Sequence, residues 1–159
     1  MIVVSDTSPV LALAAIGQLE LLRSLFDEVV IPEAVNRELT NRNPDSLPLP
    51  SWLRSQHASD QNLVTSLLAE IDLAEAEAIA LAIELHADLL LIDERIGRKV
   101  AQQRGLAYTG LIGVLLEAKR RGYLPAVRPL LDDLFTKAGF RISMRLPKHT
   151  LTLAGEGDA

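Results

Sequence analysis

The chain opens Ile2-Val3-Val4-Ser5-Asp6-Thr7-Ser8-Pro9, and the reading of this stretch decides the fold. Ile2, Val3 and Val4 are β-branched and suit a buried strand. The run stops at Asp6. A Ser/Thr-Pro turn follows, with Ser8 as cap and Pro9 in the first turn of a helix. One carboxylate is thereby set at the carboxyl end of a strand, where open α/β sheets form their binding crevice. A second apolar run, Asp88-Leu89-Leu90-Leu91-Ile92-Asp93, ends the same way. Its near-continuous apolar character is that of a parallel strand covered on both faces.

Working outward, short apolar runs alternate with helical periodicities, the pattern of an α/β domain. Leu19–Phe26 repeats leucines on one face of a helix, and Glu28-Val29-Val30-Ile31 forms a second strand closed by Pro32. Pro32 starts a helix through about Asn41 that carries Glu38. Asn43–Ser51 holds three prolines and reads as an irregular loop. Trp52–Ser59 reads as a strand with a turn, and Leu63–Ile71 as helix or loop. Leu73–His86 is an Ala-rich helix with Asp72 as cap. Arg95–Arg104 is a helix stopped at Gly105, Leu106–Thr109 another strand, and Leu111–Arg121 a helix closed by Gly122. Pro125–Ala138 and Arg141–Leu153 are read as the last helices. The expected architecture is α/β: one domain over 1–154, a parallel sheet of about four to five strands flanked by helices, and a tail over 155–159 that frays.

Cysteine is absent, which excludes disulfides, zinc-thiolate sites and a thiol nucleophile. The first residues lack the basic region of a signal peptide, and no apolar run is long enough to span a bilayer. A soluble, cytoplasmic protein with no membrane partner is expected. Charge is unevenly spread. Residues 1–94 hold 4 Lys/Arg against 16 Asp/Glu, and residues 95–159 hold 12 against 5. Ordinary scatter over solvated helix faces would give such a split. So would an acidic pocket beside a basic surface, the combination that an enzyme cutting a polyanion needs.

Four acids stand at element ends or faces: Asp6, Glu38, Glu75 and Asp93. Clustered, their oxygens suit a hard divalent cation, Mg²⁺ or Mn²⁺, which stabilises charge on a phosphate and activates water. Each acid alone could instead be a cap or a solvated helix residue. Glu75 and Glu77 are two residues apart, so a helix turns them about 200° from each other and only one can face the site. Glu75, nearer the helix start, is the choice. Glu77, Glu94, Thr7, Ser8 and Thr109 are candidate supporting groups around the acids. Arg95, Arg98 and Lys99 are candidate contacts to a nucleic-acid backbone. His57, His86 and His149 form no ligand spacing, and no phosphate-binding glycine loop is present. Gly110-Leu111-Ile112-Gly113 reads as a tight strand-to-helix turn near the substrate.

The set Val4-Ser5-Asp6-Thr7-Ser8, Val30-Ile31-Pro32 with Val35-Asn36-Arg37-Glu38-Leu39, Ala74–Ala82 and Ala87–Arg95 resembles a PIN domain. More narrowly it is similar to a PIN-like family, domain of unknown function 3368. Thr109–Lys119 and Gly139-Phe140-Arg141-Ile142-Ser143 add to the likeness, which covers nearly the whole chain. The resemblance implies a Mg²⁺/Mn²⁺-dependent ribonuclease, with Asp6, Glu38, Glu75 and Asp93 as metal-binding and catalytic residues. It also implies RNA as substrate, the VapC-like role of toxin in a toxin–antitoxin pair, a small antitoxin as partner, and a homodimer. Three departures stand out. The third acid is Glu where Asp is common, and Ala74 and Leu111 stand where relatives often have Gly and Thr. The alternatives are a catalytically weak protein-binding module and a nuclease acting on single-stranded DNA.

Overall fold

Val3 and Val4 are neighbours in the chain and both fully buried, each in a different hydrophobic core. Only a strand covered on both faces sends successive side chains into two interiors. The computed structural model, which describes residues 1–42, 49–137 and 153–156, shows this alternation in the central strands of a parallel sheet. In chain order the elements are β1 (Val3–Ser5), α1 (Thr7–Ala15), α2 (Glu20–Phe26), β2 (Val29–Pro32), α3 (Glu33–Arg42), β3 (Leu53–Gln56) and α4 (Gln61–Leu67). Then follow α5 (Leu73–Glu84), β4 (Leu89–Leu91), α6 (Arg95–Gln103), β5 (Tyr108–Thr109), α7 (Leu111–Arg120) and α8 (Arg128–Thr136).

The five strands lie in the order β3-β2-β1-β4-β5, and every pairing is parallel. The chain builds outward from β1 to β3, then crosses back to add β4 and β5 on the other side. Strand order therefore reverses between β1 and β4, the switch point where such sheets open a crevice at their carboxyl edge. Register places Val3, Val4 and Ser5 opposite Leu89, Leu90 and Leu91. One core gathers Val3, Val29, Ile31 and Leu91 with residues of α1, α2, α3, α7 and α8. The other gathers Val4, Val30, Leu90 and Ile92 with α4, α5 and α6.

Helix α5 is buried on nearly every side from Ala74 to Ala82, so alanine keeps it slim between its neighbours. It starts with a capping box. The Asp72 carboxylate accepts the Glu75 N–H (2.9 Å), and the Glu75 carboxylate accepts the Asp72 N–H (3.1 Å). It ends at His86, whose φ of 51° occupies the left-handed position usual for glycine. The Ala87 N–H reaches back to Ala82 O (2.9 Å), and His86 N–H to Ile83 O (3.2 Å), a Schellman closure.

Several local expectations are corrected. Helix α1 begins at Thr7, so Asp6 rather than Ser8 occupies its cap position, and the Asp6 side chain makes no capping hydrogen bond. The Leu63–Ile71 region, read as helix or loop, agrees with the structure: it is helical through Leu67 in α4, capped by Asp60, which accepts the Leu63 N–H at 3.0 Å. Helix α8 starts at Arg128, three residues later than Pro125. The helix expected over 141–153 lies outside the described residues apart from Leu153. In the tail expected to fray, Glu156 is anchored. Its carboxylate accepts the Val127 N–H (2.7 Å), the Arg128 N–H (3.1 Å) and Lys119 Nζ (2.9 Å). Among the described residues, no helix is long and apolar enough to cross a membrane.

Candidate metal centre

The sheet ladder carries Asp6 and Asp93 to the same edge. Asp6 N–H donates to Leu91 O (2.9 Å) and Ile92 N–H to Thr109 O (2.9 Å), so β1, β4 and β5 end side by side. Asp6 is 3% exposed, and its Oδ1 has no hydrogen-bond partner; nor has the buried Thr7 Oγ1 beside it. Burial pushes the Asp6 carboxyl up to about 7. The Thr7 amide works against that rise, and the charges of Glu75, Asp72 and Glu38 add to it.

Asp93 has a different environment. Its Oδ1 accepts the Leu111 N–H at the start of α7 (2.8 Å) and Arg98 Nη2 (3.3 Å). Arg98 Nε is itself fixed on Ile92 O (2.9 Å). Burial raises the Asp93 carboxyl above its ordinary value, while the Leu111 amide and Arg98 pull it back. Its Oδ2 is buried without a partner. Gly110 makes this arrangement fit. A Cβ there would lie 1.9 Å from Arg98 Nη2 and 2.3 Å from Asp93 Oδ1.

Glu75 stands in the first turn of α5, and its carboxyl is raised by burial, with Asp72, Glu94 and Glu38 as like charges. Its Oε1 lies against α6 at Gly97, 3.3 Å from where a Cβ would sit. Gly97 and Arg98 thus bring one helix against both Glu75 and Asp93. Glu38, half-buried on α3, acts electrostatically on Asp6 and Glu75. The structure therefore brings Asp6, Glu38 and Glu75 within electrostatic reach of one another, and sets Asp93 at the same sheet edge.

Among the described residues, no three acids or histidines stand close enough to form a closed metal cage. Glu75 spends one oxygen on the Asp72 amide and Asp93 spends one on Leu111 and Arg98. What remains are three buried oxygens with no partner: Asp6 Oδ1, Thr7 Oγ1 and Asp93 Oδ2. Buried polar atoms are normally satisfied, so such a set needs a reason. Hard oxygen donors without a closed cage fit a cation of the Mg²⁺ kind. Such a cation keeps several waters and takes one or two carboxylates along with substrate phosphates.

An open groove of about 1020 Å³ runs past Glu75 and Glu94, between the Leu68–Asp72 segment and the first turns of α6. Arg95, Ile96 and Lys99 form its other wall, while Asp6 and Asp93 do not line it. Arg95 and Lys99 are exposed and form no ion pair among the described residues. Arg98, expected with them on a nucleic-acid backbone, is instead committed to Asp93 and Ile92. Glu94 is exposed and raises both Glu75 and Asp93 by its charge. Ser8 is half-buried. Thr109 Oγ1 lies where a Cβ at Gly113 would be (1.9 Å), against the first turn of α7. Glu77 points away from Glu75 as helix geometry requires, and bonds to α3. Leu111 is fully buried, so its side chain serves the core and only its amide serves the site.

Two groups act here in ways that their sequence positions do not signal. Asp72 read as a helix cap only, yet its charge also acts on Asp6 and Glu75. The Asp-x-x-Glu spacing is the sign that ties it to Glu75. Arg98 follows Asp93 by five residues, a spacing with no regular meaning across a strand-to-helix turn. A family model described as a PIN domain, domain of unknown function 3368, matches residues 2–156. No curated protein matches the chain.

Proposed function

The chain belongs to the PIN-domain family, a nuclease fold, and from that premise we propose that it is a metal-dependent endoribonuclease, the toxin of a toxin–antitoxin pair. The observation that carries the reading is the trio of buried, unpartnered oxygens on Asp6, Thr7 and Asp93, at the sheet edge where strand order reverses. Asp6 and Asp93 would hold Mg²⁺ or Mn²⁺, with Glu38 and Glu75 completing the charge around it. A cation there would supply charge neutralisation at the phosphodiester and a more acidic water.

The chain's own residues do the rest. The Leu111 amide and Arg98 hold the Asp93 carboxylate in one orientation, so its free oxygen faces a fixed direction. Gly97 lets Glu75 lie close to α6, and Glu75 or Glu38 accepts a proton from the attacking water. The groove beside Glu75 receives the strand, with Arg95 and Lys99 meeting its phosphates. A small antitoxin would act by covering this edge, and a homodimer is part of the same proposal.

The test is cleavage of RNA by the purified chain with Mg²⁺ or Mn²⁺ against chelator, for wild type, Asp6→Asn and Asp93→Asn. Metal-dependent cutting lost in both variants is the expected result. Cutting undiminished in Asp6→Asn removes the mechanism. Parallel assays on single-stranded DNA decide the polymer, since the same carboxylates serve either. One observation favours a second reading, a catalytically weak binding module: no three described acids converge as they stand. Titration with Mn²⁺ separates the two, because the module would show no binding that depends on Asp93. Co-expression with the neighbouring open reading frame tests the toxin role through rescue of growth.

A further inference from the structure

Glu77 is a glutamate that is 7% exposed on a helix whose buried residues are mostly alanine. Its Oε1 accepts the Ala34 N–H at 3.0 Å, across 43 residues of sequence. Its Oε2 lies 4.0 Å from Arg37 Nη2, whose side chain is largely exposed. Ala34 is in the first turn of α3, where backbone N–H groups have no partner within the helix. The residue before α3 is Pro32, and proline has no side-chain oxygen to cap with. A carboxylate delivered from α5 does that task instead, and its charge suits the positive end of the helix.

The consequence lies one turn along. Ala34 and Glu38 are four residues apart and share a face of α3. Glu75 and Glu77 share α5 but face directions about 200° apart. One helix therefore presents Glu75 beside Asp6 and, with its other glutamate, grips the helix that carries Glu38. We propose that Glu77 is a positioning residue, tying the first turn of α3 to α5 so that Glu38 is held at a fixed place relative to Asp6 and Glu75. This rests on the metal-dependent nuclease reading. Glu77 itself touches neither cation nor RNA.

The experiment compares the full chain as wild type, Glu77→Ala, Glu77→Gln and Arg37→Ala. The first readout is the Mn²⁺ midpoint from thermal-shift titration without RNA; the second is kcat and KM for RNA cleavage. Glu77→Ala should weaken the Mn²⁺ midpoint and lower kcat by about 10–100-fold, the usual size of effect for a group supporting a metal ligand. KM should stay within about threefold, because the strand groove is untouched. Glu77→Gln keeps an oxygen for the Ala34 amide and should restore both readouts to near wild type. Arg37→Ala should follow wild type.

Should Glu77→Ala fail to fold, Glu77→Asp takes its place. It retains the charge, falls one methylene short of Ala34, and should behave as the alanine variant would. A wild-type Mn²⁺ midpoint and kcat in folded Glu77→Ala or Glu77→Asp overturns the proposal, as does a glutamine variant as defective as alanine. A wild type that neither binds Mn²⁺ nor cleaves RNA overturns the nuclease reading and this proposal together. If wild type binds Mn²⁺ without cleaving, the Mn²⁺ midpoint alone decides.

Discussion

Replacing Asp6 with asparagine should make the metal-free protein more stable at alkaline pH while ending its activity. The folded chain holds this carboxyl, 3% exposed and with an unpartnered oxygen, at about 7 instead of 3.8. A folded acid weaker than its unfolded counterpart binds its proton more tightly in the native state. Stability is then highest below 3.8, falls as pH rises through the interval, and reaches its floor above about 7. A move of this size corresponds to about 4 kcal/mol once both states are ionised. Asparagine never ionises and so escapes that penalty, although its amide also needs a partner, which costs about 1–3 kcal/mol. The net gain for Asp6→Asn is therefore about 1–3 kcal/mol at about pH 8, or several degrees in Tm for a chain this long.

Urea unfolding in chelator, for both proteins between about pH 4.5 and 8, measures the difference directly. Carboxylates remote from Asp6 titrate in the same range, but they are common to the two proteins and cancel. The advantage of Asp6→Asn should shrink as pH falls and be gone or reversed by about pH 4.5. Added Mn²⁺ should stabilise wild type by mass action and leave the variant nearly unmoved, narrowing the gap at alkaline pH. A variant that is less stable than wild type at about pH 8, or a gap that does not change with pH, refutes the reasoning.

Gly110→Ala drives a methyl into Asp93 Oδ1, so RNA cleavage should fall by about 10–100-fold, with about 1–3 kcal/mol lost from urea stability. His86→Gly relieves a left-handed residue at the end of α5 and should add about 0.5–1 kcal/mol, read from the urea midpoint, with cleavage unchanged. Glu156→Gln weakens the bonds to Val127, Arg128 and Lys119 and should cost about 1–2 kcal/mol at neutral pH. The Glu156 carboxyl is lowered to about 2 because those three donors outweigh the burial that opposes them. Its contribution is therefore present above about 4.5 and fades as pH falls toward 2, so acid unfolding of the two proteins should converge there.

The two strands that matter were legible because both end in an acid after a fully apolar run, a pattern that burial on two faces demands. The third edge was harder. Leu53-Arg54-Ser55-Gln56 lies at the margin of the sheet with Arg54 and Ser55 exposed, so it lacks the apolar run that announced β1 and β4. The split between Glu75 and Glu77 followed from helix rotation alone. The partner of Glu77 did not, because an amide 43 residues away leaves no trace in local spacing. Arg98 reads in the sequence, with Arg95 and Lys99, as a contact to a nucleic-acid backbone. Which of the three folds inward depends on Asp93 and Ile92 lying behind it, and that is a tertiary fact. Glu156 was lost for the same reason: a polar tail reads as solvated until the amides it meets are known.

The two strand-end acids differ in what the fold gives them, and the difference bears on how a cation would act. Asp93 has a helix amide and a guanidinium, both of which favour its charged form. Asp6 has one neighbouring amide and three like charges around it. A chain that needed only a stable sheet edge would gain by replacing Asp6 with a neutral residue. Retaining it costs stability in the absence of positive charge, and nothing among the described residues supplies that charge beside Asp6. The cost makes physical sense if a cation arrives from solution. Asp93 would then be the oriented ligand, held by the Leu111 amide and Arg98, while Asp6 would be the one whose protonation state the cation sets. Metal binding should accordingly release about half a proton at pH 7, close to one at about pH 6 and almost none by about pH 8.5, in wild type and Glu77→Gln alike. Calorimetric titration with Mn²⁺ in buffers of different ionisation enthalpy reads this number, and a release from wild type that does not change between about pH 6 and 8.5 refutes the division of roles.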